Sequence, residues 1–247
     1  MGVAASDQGM ALAELGPALI YDPFNPVSQE RSRLAQAHGV RRSQRARKSV
    51  ILATIRRILT EGGCDSVTVR RVAEESGYAV QTIYNLVGPR DEAITEAISE
   101  YSLFVGRTVS PQAEDPQALF NIVDSWTASA ERMPEFCRQS NLIFFSNSRH
   151  IYYEFRDRQL NGLRNLLSRQ RGSGVIRGDI DTRDLAEQLT ILSAGLWLEW
   201  ADRPFPLVHL KRRLISAWAN LLSDKFTPQY QPIVAARLEQ GVPRALS

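Results

Sequence analysis

Apolar residues return at helical spacing along most of the chain. Val50, Ile51, Thr54, Ile55, Ile58 and Leu59 recur every three or four positions, with Arg47, Lys48, Arg56 and Arg57 between them. That spacing lays one apolar stripe along a helix, and Gly62-Gly63 predicts its end. Thr68 is placed to cap a second helix with Val69, Val72 and Ala73 inward, and Gly77 to close it. A third helix begins near Ala79, carries Ile83, Tyr84 and Val87, and is interrupted by Gly88-Pro89. Pro89 suits the first turn of a fourth helix, whose positive end Asp91 and Glu92 complement and which extends to about Arg107.

The same period continues. Asp115-Pro116 starts a helix with Leu119, Ile122, Val123, Trp126 and Ala130, and Pro134 opens another with Phe136, Leu142, Ile143 and Phe145. A longer helix holds Ile151, Tyr152, Phe155, Leu160, Leu163, Leu166 and Leu167, and Gly172-Ser173-Gly174 ends it. Asp181 or Thr182 caps the next, and Pro204 and Pro206 separate that one from a last long helix. Few segments alternate in the way a sheet requires. The expected fold is therefore all-α, an N-terminal three-helix domain followed by a larger helical one.

Four regions are expected. Residues 1–40 form a partly flexible extension, irregular over Asp22–Pro26, with a short helix over Ser28–Ala37 that His38-Gly39 ends. Residues 41–92 form the small helical domain, 93–226 the large one, and 227–247 a proline-containing, partly ordered tail.

The net charge is only +3, but it is unevenly placed. Between Arg31 and Arg90 stand 12 basic residues against four acids, which leaves the remainder at −5. A basic block on a mildly acidic body suits a polyanion; a solvated charged face explains it equally well. Cys64 and Cys137 lie in no metal or redox spacing, and neither a metal nor another cofactor is expected. No apolar run approaches the ~20 residues of a membrane span, and the start lacks a secretory pattern. The chain reads as cytoplasmic with no membrane partner.

Three short helices in about 40 residues, the second and third joined by a tight glycine turn, describe a helix-turn-helix. The second helix of such a unit braces on the phosphate backbone and the third enters the major groove. Gln81, Thr82, Tyr84 and Asn85 then supply hydrogen-bonding groups on and around the reading helix. The residues Ile51–Leu59, Gly63-Cys64-Asp65-Ser66-Val67-Thr68-Val69-Arg70, Val72-Ala73, Gly77, Thr82-Ile83-Tyr84 and Arg90-Asp91-Glu92 resemble the DNA-binding domain of the tetracycline-repressor (TetR) family. The resemblance covers Lys48 to Ala97. It implies a regulatory domain in the helical body that follows.

Carried over residue by residue, the resemblance implies that Thr68 caps the second helix and meets phosphate, with Arg70 a nearby backbone contact. Thr82 and Tyr84 match positions that touch phosphate or bases, and Arg90 matches a lysine that contacts phosphate. Gln81 and Asn85 stand at variable, groove-facing positions suited to reading bases, since either amide pairs with adenine. Ala79, Val80, Leu86 and Val87 depart from the family pattern, and Val80 is suited to a thymine methyl. The run Arg41-Arg42-Ser43-Gln44-Arg45-Ala46-Arg47-Lys48 holds five cations and no acid. It reads as an arm on phosphates, Arg47 and Lys48 included, or as ordinary helix-end charge.

Trp126, Phe145, Tyr152, Phe155 and Trp197 are candidates to line an effector cavity, although any one of them is more simply core. Leu185, Leu189, Leu192 and Leu196 form one stripe, and Leu210, Leu214, Trp218 and Leu221 another. Together they are expected to build a four-helix interface across a two-fold axis; closing the monomer's own core is the other reading. No hydrolase, metalloprotease or phosphate-loop motif is present, and His38, His150 and His209 lie far apart. The reading is therefore not an enzyme but a homodimeric repressor on double-stranded operator DNA, released by a small apolar or aromatic effector. Control by a protein partner, or an enzyme with a helical body, are the alternatives.

Overall fold

The structure, a computed structural model, describes residues 26–106 and 114–241, with side chains from 42 to 101 and from 114 to 241. Expectations for residues 1–25 and for the last six positions lie outside the described residues. Among the described residues ten α-helices follow in order: α1 (Pro26–Gly62), α2 (Val69–Ser76), α3 (Val80–Val87), α4 (Arg90–Gly106), α5 (Ala118–Arg132), α6 (Pro134–Leu142), α7 (Arg149–Gly172), α8 (Thr182–Asp202), α9 (Leu207–Leu222) and α10 (Gln231–Gly241). Among the described residues the extended pairing is a single bridge between Ile176 and Phe226. The all-α expectation holds.

Two compact units divide the chain, one through Arg47 and one from Lys48 onward, with the boundary inside α1. The break expected at His38-Gly39 is absent, because α1 runs unbroken from Pro26 to Gly62. A mid-helix glycine costs only about 1 kcal/mol relative to alanine, which the surrounding turns absorb.

The second unit holds two apolar clusters. One joins Ile51, Leu52, Ile55, Ile58 and Leu59 of α1 to Val72, Ile83, Val87, Ile94, Phe136, Ile143, Ile151 and Tyr152. The small helices thus share their core with α4, α6 and the start of α7. The other cluster joins Leu119, Phe120 and Val123 of α5 to Leu163 and Leu167 of α7, Leu185 and Leu189 of α8, and Leu210, Leu214 and Trp218 of α9. Trp218 donates through Nε1 to Ser193 Oγ at 2.9 Å and meets Trp126 edge-on at 5.8 Å between centroids. The Asp181 carboxylate, accepting from the amides of Arg183 and Asp184, caps α8.

The segment from residue 227 is ordered as far as Gly241. There α10 packs on α9 with Val234 buried. Arg237 secures it, donating to Gln117 Oε1 at 3.2 Å and to Asp124 Oδ2 at 3.1 Å. Asp124 also pairs with Lys211 of α9 at 2.8 Å, so one carboxylate of α5 ties two helices.

Candidate nucleic-acid interface

The turn after α1 starts from Gly63, whose φ of 72° favours glycine. A 3-10 turn, Cys64–Ser66, follows, and Val67 packs inward. Thr68 then caps α2, its hydroxyl accepting from the Arg71 amide at 3.1 Å. Four charged side chains brace α2 on α1. Arg57 pairs with Glu75 at 2.5 Å and with Glu61 at 3.3 Å, while Arg71 pairs with Glu75 at 2.6 Å and reaches Glu61 at 3.8 Å. The hydrogen bond from Arg71, with that from Arg57, holds the Glu75 carboxyl below its ordinary range.

Gly77, with φ 73°, closes α2 and turns the chain toward α3. Ala79 precedes α3 in extended conformation and offers no side-chain cap, as its chemistry dictates. Its carbonyl accepts instead from the amides of Thr82 at 2.8 Å and Ile83 at 3.2 Å. Ile83 and Val87 are buried, and they fix which face of α3 turns outward. That outward face carries Val80 and Tyr84, 44% and 46% exposed, with Gln81 and Asn85 also exposed. Gln81 Nε2 donates to Asn85 Oδ1 at 3.0 Å, so the two amides present themselves as one pair.

The remaining expected contacts divide. Thr68 and Arg70 are exposed, Arg70 beside Glu74 at 2.9 Å, and Thr82 is half-buried. In the first unit, Arg42, Arg45 and Arg47 are exposed on α1. Lys48 is half-buried and pairs with Glu96 of α4 at 2.5 Å, which compensates the charge expected to meet phosphate.

Arg90 departs from expectation. Its Nε donates to the Val67 carbonyl at 2.6 Å and its Nη2 to the Cys64 carbonyl at 2.6 Å, with Cys64 Sγ at 3.4 Å. Its Nη1 donates to Asp91 Oδ1 at 2.5 Å and to Ser148 Oγ at 2.9 Å. The guanidinium thus faces the protein, and the phosphate contact that the resemblance implied is not offered in this conformation. Sequence reasoning missed this network and the Arg57–Glu75 pair. The i, i+4 spacing of Arg57–Glu61, Arg70–Glu74 and Arg71–Glu75 was the available signal.

The five aromatics proposed for an effector cavity are not gathered. Trp126 and Trp197 border the cluster of α5 and α7–α9, Tyr152 and Phe155 belong to the other, and Phe145 is 62% exposed. A cleft of about 420 Å³ lies instead among charged residues, walled by Lys48, Glu92, Glu96, Glu100, Glu154 and Arg158 over Leu52. The expected dimer stripes are corrected as well. Leu185, Leu189, Leu210, Leu214 and Trp218 are buried in the monomer's own core, and Leu196 and Leu221 are half-buried against it. Both stripes face one another because each helix must bury its strongest apolar face first. Leu192 stays exposed, beside Ile191 at 67%.

Residues 51–85 match the family model described as bacterial regulatory proteins, tetR family. No curated protein matches the chain. Among solved structures it is similar to SmeT, the repressor of the Stenotrophomonas maltophilia multidrug efflux pump SmeDEF, at 16% identity and a TM-score of 0.60 over 74% of this chain and 92% of that one. The SmeT–triclosan complex gives 19% and 0.60 over 75% and 94%. TylP, a TetR regulator from Streptomyces fradiae, gives 14% and 0.59 over 81% and 92%. Residues 51–85 thus resemble a tetR-family helix-turn-helix, and the chain has the fold of solved TetR-family transcriptional regulators.

Proposed function

We propose that this protein is a homodimeric, DNA-binding transcription repressor that a small-molecule effector releases from a palindromic operator. The observation that carries the reading is the outward face of α3. Val80, Gln81, Tyr84 and Asn85 project from an eight-residue helix anchored by buried Ile83 and Val87 and by half-buried Leu86, next to the exposed, capped start of α2. Two amides read adenine edges, Val80 meets a thymine methyl, Thr68 and Arg70 contact the phosphate backbone, and Thr82 and Tyr84 contact phosphate or bases. The cations Arg42, Arg45 and Arg47 add phosphate attraction.

Dimerisation uses the outer face of α8, where Ile191 and Leu192 are exposed and Gly195 leaves open space beside it. The similarity to SmeT, which is solved with triclosan, supports an effector of small-molecule class. The effector acts by binding the DNA-incompetent arrangement more tightly, which shifts the population away from operator. The composition of the body favours an apolar or aromatic compound.

Selection of bound sequences from a random duplex pool tests the reading. The expected winner is a palindrome with half-sites about 34 Å apart, one helical turn. No enrichment at low salt would overturn it.

A further inference from the structure

Arg90 stands at the first position of α4, yet it is hydrogen-bonded to three separate segments. Its Nε and Nη2 satisfy the carbonyls of Val67 and Cys64, which close the α1–α2 turn that presents Thr68. Its Nη1 grips Asp91, in the first turn of its own helix. The same Nη1 reaches Ser148, which is buried immediately before α7. Asp91 extends the network, since its other carboxylate oxygen lies 3.0 Å from His150 Nε2 on α7. A guanidinium carries five N–H groups in a fixed fork, and here all three nitrogens are engaged with protein.

Ion pairs between flexible, exposed side chains hold geometry poorly. A planar cation on two backbone carbonyls and a buried hydroxyl is different, because the carbonyls cannot rotate away and the charge strengthens each bond. The partners lie 23 and 26 residues before Arg90 and 58 residues after it. Ser148 precedes a helix whose first turn places Ile151 and Tyr152 in the same apolar cluster as Val67 and Val72. A shift of α7 therefore pulls on the carbonyls that set the start of α2.

We propose that Arg90 is a positioning residue that locks the α1–α2 turn to the start of α7, so that displacement of α7 is transmitted to the DNA-facing surface through Cys64 and Val67. This rests on the DNA-binding reading for its purpose but not for its geometry. A lysine here cannot replace the arrangement, since one ammonium cannot span carbonyl, carboxylate and hydroxyl in a plane. The arrangement assigns Ser148 a part in DNA affinity although it belongs to the body of the protein.

The test compares Arg90→Lys, Arg90→Gln and Ser148→Ala with the parent chain in two measurements. In hydrogen exchange of free protein, the amides of Ser66 and Val67, which bond to Gly63 and Cys64 carbonyls, should lose protection in all three variants. That arm needs no DNA. In binding to the selected operator, Arg90→Lys should weaken affinity on the order of tenfold with the salt slope unchanged, because no phosphate contact is lost. Ser148→Ala should weaken it in the same direction. A salt slope reduced by about 0.9 in Arg90→Gln, with turn protection intact, would make Arg90 a phosphate contact and overturn the proposal. Parental exchange in Ser148→Ala would also overturn it, by removing the link to α7. If no operator is found, the exchange arm still decides the geometry, and only the DNA-binding reading fails.

Discussion

At the scale of single residues, surroundings decide what a side chain does. Arg90 and Arg70 are both arginines in the basic stretch, yet one is tied to two carbonyls and a hydroxyl while the other lies exposed beside Glu74. The sequence carried the capping role of Thr68 and the freedom of Gly77, because both are local and short-range chemistry sets them. It could not carry the position of Arg90, whose acceptors converge from distant segments. Burial also retunes two groups that show no distinctive pattern along the chain. It pushes the Cys137 thiol from 9.0 up to about 12, and the Tyr152 phenol from 10.0 up to about 12. The native state keeps protons there that the unfolded chain releases. Stability is therefore full below about pH 9 and falls as the pH rises toward about 12. Denaturant midpoints measured from about pH 8 to about pH 11 should decline, and a Cys137→Ser, Tyr152→Phe double variant should decline less steeply; equal slopes would exclude these two groups as the source.

At the scale of elements, the period of apolar residues located the helices, since one buried stripe per helix is what each must form. Their neighbours were harder. The leucines of α8 and α9 read equally well as a core or as an interface, and only the packed arrangement puts Leu189, Leu210 and Leu214 inside. The predicted break at Gly39 is absent because one glycine costs too little to stop a helix, and the segment after residue 226 is ordered where α10 packs on α9. Short elements depend most on such packing. The eight residues of α3 have no side-chain cap and two buried anchors. Ile83→Ala should cost about 2–5 kcal/mol and loosen α3 before the remainder unfolds. Thermal unfolding followed beside exchange of α3 amides would show this; a loss spread evenly over all helices would contradict it.

At the scale of the whole molecule, the two apolar clusters carry the architecture, and Cys137 borders both of them. Neither cluster consumes the outer face of α8. Its pair Ile191 and Leu192 stands exposed, with Gly195 one turn further on and nothing within 4 Å of an added Cβ there. The proposed dimer would bury this patch. Ile191→Glu should bring two carboxylates together across a two-fold axis and convert a dimer to monomers in equilibrium sedimentation, with operator affinity falling in parallel. A variant that sediments as the parent does would place the interface elsewhere. Most of the body's fold was legible because its helices are long and strongly patterned. The cleft beside α4 was not, because it draws on Lys48, Glu96, Glu154 and Arg158 from three separate helices.

The way α3 is anchored also bears on how this protein diverges. Its inward side is settled by Ile83 and Val87, with half-buried Leu86 packed beside them, and its outward side by Val80, Gln81, Tyr84 and Asn85. Substitutions at the outward four cost little folding free energy, so they accumulate without first eroding the scaffold. Under the proposed function, a duplicated copy of the gene acquires a new target sequence in single steps, each intermediate still folded. The same separation offers a direct route to redirecting the protein by design, with the outward four randomised and the anchors kept.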